Sequence, residues 1–155
     1  MFARRRVLEG LVGLGVVVVA HPTSVPANGS LAMYRWNARP LLIFAPTAND
    51  DRYRRQLKLL EASRAGMEER DMVLLAILGD DPKVGVLLGA PEALNAHDLR
   101  NRFQIPAEQF TTILVGKDGG SKARYADPVE PATIFQLIDG MPMRRREMRE
   151  RGQSS

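Results

Sequence analysis

The chain contains no cysteine. That one absence excludes disulfide staples, thiol redox chemistry and thiolate metal sites together. Histidine is almost as scarce: of the two, His21 falls in the leader described below, which leaves His97. A lone imidazole needs two or three further strong ligands to hold zinc, and no nucleophile elbow accompanies it for a Ser-His-Asp hydrolase. The acidic residues come as adjacent pairs, Asp50-Asp51 and Asp80-Asp81, rather than at the alternating positions of a calcium loop. Gly116-Lys117 does not open a P-loop, because Thr111 stands where the earlier glycine belongs and Asp118 where Ser or Thr belongs. Nor is there a membrane-length run: Val7 to Ala20 counts fourteen residues, interrupted by Glu9, against roughly twenty for a spanning helix.

What is present at the start is a leader. Arg4, Arg5 and Arg6 precede that apolar stretch, and a polar segment ends in Val25-Pro26-Ala27, the three-part pattern of a secretory signal peptide. Cleavage is expected after Ala27, which makes the protein periplasmic or secreted; the rival reading is an envelope protein that keeps its first helix as an anchor. Arg4 to Leu8 also fits a loose twin-arginine export pattern. The net charge of +4 is unevenly placed, since residues 141–155 hold five arginines against Glu147 and Glu150 while residues 28–140 come to about −1. A basic tail on a near-neutral body argues against a phosphate-tracking surface, so no nucleic-acid partner is expected. The chain thus divides into a signal at 1–27, a domain at 28–140 and a basic Met/Arg-rich tail at 141–155.

Within the domain the apolar runs are short. Met33, Tyr34 and Trp36 are expected to cover one end of the core. Leu41 to Phe44 suits a strand buried on both faces, and Pro46 ends it. Asn49 or Asp50 can cap the next helix, which carries Tyr53, Leu57 and Leu60 on one face and is expected to reach Glu69. Met72 to Leu78 is a second strand, and the order strand, helix, strand predicts a parallel pair with a right-handed crossover. Residues 83–94 read equally as strand and turn or as an irregular loop. A helix from Asn95 or Ala96 stacks Leu99 on Phe103. Phe110 to Tyr125 reads as a hairpin turning at Asp118-Gly119, with Lys122 and Arg124 on one face of its second strand. Ile134, Phe135, Leu137 and Ile138 mark a last helix. The sum, β-α-β-α-β-β-α, predicts a thioredoxin-like α/β fold: a three-layer α/β/α sandwich around a mixed four-stranded sheet.

Four segments carry a resemblance. WNARPLLIFAP at 36–46, LRNRFQIP at 99–106, FTTILVGKDGGSKAR at 110–124 and LIDGMPMRRREM at 137–148 together resemble a bacterial family of exported proteins, the domain of unknown function 4174 family. That family is similar to modules of animal secreted sushi-repeat proteins, and the resemblance implies a thioredoxin-like or peroxiredoxin-like fold without supplying catalytic residues. Against thioredoxins, Thr47 to Asp50 lacks cysteine and Phe110-Thr111 lacks the proline that shapes the redox site.

Two regions are therefore candidates. Thr47, Asn49 and Asp50 occupy the loop where this fold usually works; they can cap a helix, or Asp50 can act as general base or metal ligand. Lys117, Asp118, Lys122, Arg124, Arg144 and Arg145 could converge on one anionic partner if the last helix returns beside the hairpin, or pair with nearby carboxylates at the surface. Met141, Met143 and Met148 suit a docking segment, or else cap the domain's own core. The expectation is a binding or protein-interaction module without thiol activity or cofactor, whose partner is an envelope protein or a small anionic ligand. The alternative is an enzyme or a metal- or anion-binding protein using residues 47–51.

Overall fold

The computed structural model describes residues 30–89 and 93–153, so the leader expected at 1–27 lies outside the described residues. A short 3-10 turn, Leu31–Tyr34, leads into β1 (Arg39–Ala45), followed by α1 (Asp51–Glu61), α2 (Arg64–Glu69), β2 (Met72–Leu78) and β3 (Val84–Leu88). Then come α3 (Ala96–Phe103), β4 (Thr111–Val115), β5 (Ser121–Tyr125), α4 (Pro131–Asp139) and α5 (Pro142–Gln153). The strands form one mixed sheet in the order β3-β2-β1-β4-β5. β1 and β2 are parallel, as the strand-helix-strand order requires, and every other pairing is antiparallel.

The sheet has five strands where four were expected, because Val84–Leu88 adds an edge strand antiparallel to β2. Only alternate residues of it are covered, and Pro82 and Gly85 dilute the apolar pattern.

β1 lies at the centre and is buried along its whole length. Its side chains alternate between two cores, as pleating demands. Leu41 and Ile43 pack with Tyr53, Leu60, Met67, Ile134 and Ile138 from α1, α2 and α4. Leu42 and Phe44 pack on the opposite face with Leu31, Tyr34, Leu99 and Phe103. This is the three-layer α/β/α sandwich.

The helix expected to run to Glu69 breaks at Ala62–Ser63, where Ser63 leaves helical geometry and α2 restarts one turn later. α3 starts at Ala96, within the expected bounds, and Asn95 caps it, its side chain accepting from the N–H groups of His97 and Asp98. Trp36 departs from expectation: it adopts φ +68 and is 60% exposed, so it does not cover the core. The hairpin turns through Gly119 at φ +84, a conformation that glycine adopts without strain. The register slips between Leu114 and Val115 and inserts an extra residue at Lys122 in β5.

Candidate functional site

The two regions singled out in the sequence lie at opposite ends of the parallel strands, and an arginine organises each. At the carboxyl end, β1 runs into Pro46 and the turn Thr47 to Asp50. Thr47 Oγ1 accepts from the Asn49 N–H at 3.3 Å. Asp50 accepts from the N–H groups of Arg52 and Tyr53 at 3.0 and 3.2 Å and pairs with the Arg52 guanidinium at 3.1 Å. The Arg52 side chain is the main cause that holds the Asp50 carboxyl below the usual aspartate range, with burial opposing it. A carboxylate held in that state by cap and ion pair is a poorer proton acceptor than a free one. Asp50 therefore serves here as the cap of α1, and Thr47 and Asn49 stand exposed beside it.

Behind this turn sits Arg100, only 7% exposed and without a carboxylate in contact. Its Nε donates to Gly79 O at 2.9 Å, Nη1 to Ile105 O and Pro106 O at 3.4 and 2.7 Å, and Nη2 to Ala45 O and Ile77 O, both at 3.3 Å. A guanidinium has five N–H groups, and each meets a carbonyl. The same head stacks 5.5 Å from the Phe44 ring. Burial lowers its pKa, and the charges of Asp80 and Glu108 oppose that shift. Open α/β sheets use the carboxyl ends of their strands as ligand crevices; here the ends of β1 and β2 are stoppered by a saturated cation. Sequence reasoning overlooked Arg100, although a charge between Leu99 and Phe103 on the apolar face of α3 was the available signal.

The amino end holds the larger cluster. Arg39 opens β1 and is 1% exposed. It grips Glu147 of α5 with both terminal nitrogens, at 3.2 and 3.0 Å, and donates to Arg70 O at 2.8 Å. Lys117 Nζ bridges Glu147 and Asp71 at 2.7 and 2.8 Å. Arg144, also 1% exposed, donates to Asp139 at 3.2 Å and to the carboxylate and carbonyl of Glu69 at 2.6 and 3.0 Å. Arg70 closes on Asp139 at 2.7 Å while stacking 4.4 Å over Phe135. Burial pushes the Glu147 carboxyl upward, but hydrogen bonds from Arg39 and Lys117 outweigh it and hold the group below its usual range. Asp139 is balanced the same way by Arg70 and Arg144. Arg39 and Glu147 were not foreseen, because no local pattern links positions this far apart.

The six basic-patch residues are thus divided. Lys117, Asp118 and Lys122 line one small cavity of about 110 Å³ with Arg39, Met141 and Met143. The Nε of Arg39 is buried there without a partner. Lys122 is paired with Asp118 at 2.6 Å. The extra residue in β5 separates Lys122 from Arg124, which instead donates to Phe103 O at 2.6 Å. Arg144 is consumed inside the ion network, and Arg145 faces solvent on α5. No group of three or more His, Cys, Asp or Glu side chains among the described residues is arranged to hold a metal.

With this geometry in view, residues 30–147 match the family described as Domain of unknown function (DUF4174). The chain belongs to the DUF4174 family. Its relatives include zebrafish Coiled-coil domain-containing protein 80, 35% identical over 133 residues, covering 76% of this chain and 15% of the relative. Human Sushi repeat-containing protein SRPX is 37% identical over 113 residues, covering 71% of this chain and 24% of the relative. The chain spans about a quarter or less of these relatives. They are vertebrate proteins, and the match to SRPX agrees with the likeness to animal sushi-repeat modules. Among solved structures, reduced 2-Cys peroxiredoxin of Plasmodium vivax aligns with a TM-score of 0.52 at 15% identity, over 70% of this chain and 80% of that one. Thioredoxin peroxidase I of Plasmodium yoelii aligns with a TM-score of 0.51 at 15% identity, over 70% and 75%. Both likenesses concern the fold, and this DUF4174 chain carries that fold without a cysteine.

Proposed function

We propose that this DUF4174 domain is an exported, thiol-independent interaction module that docks an acidic protein partner on the outer face of α5 and the adjoining hairpin. The observation that carries the reading is the division of labour along α5. Arg144 and Glu147 point inward and lock the helix to the domain, whereas Arg145, Arg146 and Arg149 are exposed and make no ion pair among the described residues. Met148 lies between them, 39% exposed. Arginine and methionine on a rigid face suit an interface that combines carboxylate recognition with adaptable apolar contact. Export rests on the leader pattern at 1–27. Among the described residues, no helix is long and apolar enough to cross a membrane.

Acid-base or metal chemistry at residues 47–51 has weaker support, since Asp50 is committed to its cap and Arg100 fills the strand ends behind it.

A photoreactive side chain at Met148 tests the reading. The expected result in envelope preparations is a discrete crosslinked species that disappears when Arg145, Arg146 and Arg149 are changed to Glu. No crosslink, or one indifferent to charge reversal, counts against it. A turnover abolished by Asp50→Asn would replace it with the enzyme reading.

A further inference from the structure

A second surface, using none of the α5 residues, lies where the chain enters β1. Trp36 is the only tryptophan, is 60% exposed, and adopts φ +68. A bulky side chain is a genuine outlier in that region, where glycine fits without penalty. Its conformation is held by its own N–H donating to Lys117 O at 2.7 Å. The largest side chain thus stands, in solvent, at a position whose backbone favours the smallest. Strain and exposure combined are the pattern of a residue kept for contact rather than for stability.

The surroundings specify the contact. The Arg35 guanidinium stacks 5.3 Å from the indole, and its aliphatic stem passes over Gly119, where a Cβ would come within 3.3 Å of it. Arg35 and Arg102 then line a cleft of about 440 Å³ floored by the turn Asp118 to Gly120. Arg102 uses Nη2 on Gly119 O at 3.0 Å. Neither arginine has a carboxylate partner among the described residues, whereas the cleft's own acid, Asp118, is neutralised by Lys122. Two guanidiniums without carboxylate partners, one of them stacked on an exposed indole, combine the residue types that dominate protein interfaces, and their charge calls for carboxylates.

We infer that the Arg35–Arg102 cleft and Trp36 form a binding site for an acidic peptide segment, its carboxylates taken by the two guanidiniums and a neighbouring apolar side chain laid on the indole. Because Trp36 is the only tryptophan, its emission reports the site directly. The probe is a blocked hexapeptide alternating glutamate and phenylalanine. Its expected effect on the full chain is a saturable shift of emission to shorter wavelength. Arg35→Ala combined with Arg102→Ala should weaken the apparent affinity at least tenfold, while alanine at Arg145, Arg146 and Arg149 leaves it unchanged. Trp36→Gly, made in the background of alanine at Arg145, Arg146 and Arg149 and followed by calorimetry, should abolish binding while keeping or raising Tm, which separates loss of contact from loss of fold. No shift, an equal response to a lysine-phenylalanine peptide, or loss only in the α5 variant overturns the inference.

Discussion

Glu147 illustrates what a single side chain does in this structure. Its carboxylate satisfies Arg39 and Lys117 at once, and both cations are almost entirely buried. Removing one partner of such a group leaves the others charged and dry, which costs on the order of 3 kcal/mol or more. Glu147→Ala is therefore expected to lower stability by about that amount in denaturant titrations. Glu147→Gln, which keeps an acceptor but not the charge, should fall between the two. Arg100 makes the opposite kind of test, since its partners are backbone carbonyls rather than acids. Arg100→Met conserves much of the apolar stem but leaves Pro106 O and its neighbours short of donors. A loss of roughly 2–3 kcal/mol is expected from unsatisfied carbonyls, measurable as a lower denaturation midpoint with unchanged slope. At this scale little was readable beforehand. Capping by Asp50 follows from short-range chemistry and was anticipated, as was a helix starting at Asn95 or Ala96, whereas Arg39 and Glu147 meet only because eight elements fold between them.

At the scale of elements, the best-read segments were those whose apolar pattern is dense. β2, β4 and Leu41 to Ala45 of β1 are uninterrupted apolar or β-branched runs, and each lies where its pattern placed it. β3 stayed open between strand and loop because an edge strand covered on alternate residues, and diluted by Gly85, gives a weak pattern. The break between α1 and α2 escaped because Ala62 and Ser63 carry no strong helix-ending signal; tertiary packing outweighs propensity there. Trp36 misled because aromatic residues are usually buried, and only a backbone at φ +68 turned it outward. Helix α5 shows how composition can deceive: an arginine-rich segment that reads as a solvated tail sends two of its charges into the interior. A chain ending at Gly140 would lose Glu147, Arg144 and Arg151 together. We expect that truncation to lower Tm by on the order of 10 °C, with Arg39 as the main casualty; an unchanged Tm would show that α5 is dispensable for folding. Gly66 offers a smaller test between elements, since a Cβ there would meet the Phe135 ring at 2.7 Å. Gly66→Ala should push α4 from α2 and lower the melting temperature despite its better helix propensity.

Over the whole molecule, four carboxyls held by hydrogen bonds and ion pairs titrate in one direction. The carboxyls of Asp50, Asp118, Asp139 and Glu147 are each held below their usual range. A group depressed in the folded state contributes stability that is fully present above its unfolded value, roughly 3.9 for Asp and 4.3 for Glu, and that is lost as pH falls through the folded value. Thermal stability is thus expected to be nearly flat from pH 7 to about 5 and to fall steeply below about 4. Glu147→Gln should flatten part of that acid limb in a series of melting curves, and an unaltered limb would assign the sensitivity to the other carboxyls. Fold class was legible in the sequence at this scale because a three-layer α/β/α sandwich needs only the order and density of apolar runs. The charge network was not, because it depends on which chain ends meet.

That meeting also has a consequence in time. Arg39 and its partner Glu147 are 108 residues apart, so a ribosome delivers the cation long before the acid that makes its burial tolerable. Until the last helix is synthesised, the centre of the sheet carries a charge that it cannot comfortably enclose. The growing chain is expected to stay open to protease and to tighten in one late step. Stalled chains ending before and after Glu147 should differ sharply in resistance to digestion. The turns of α5 act as a latch, and the order of synthesis sets when it closes.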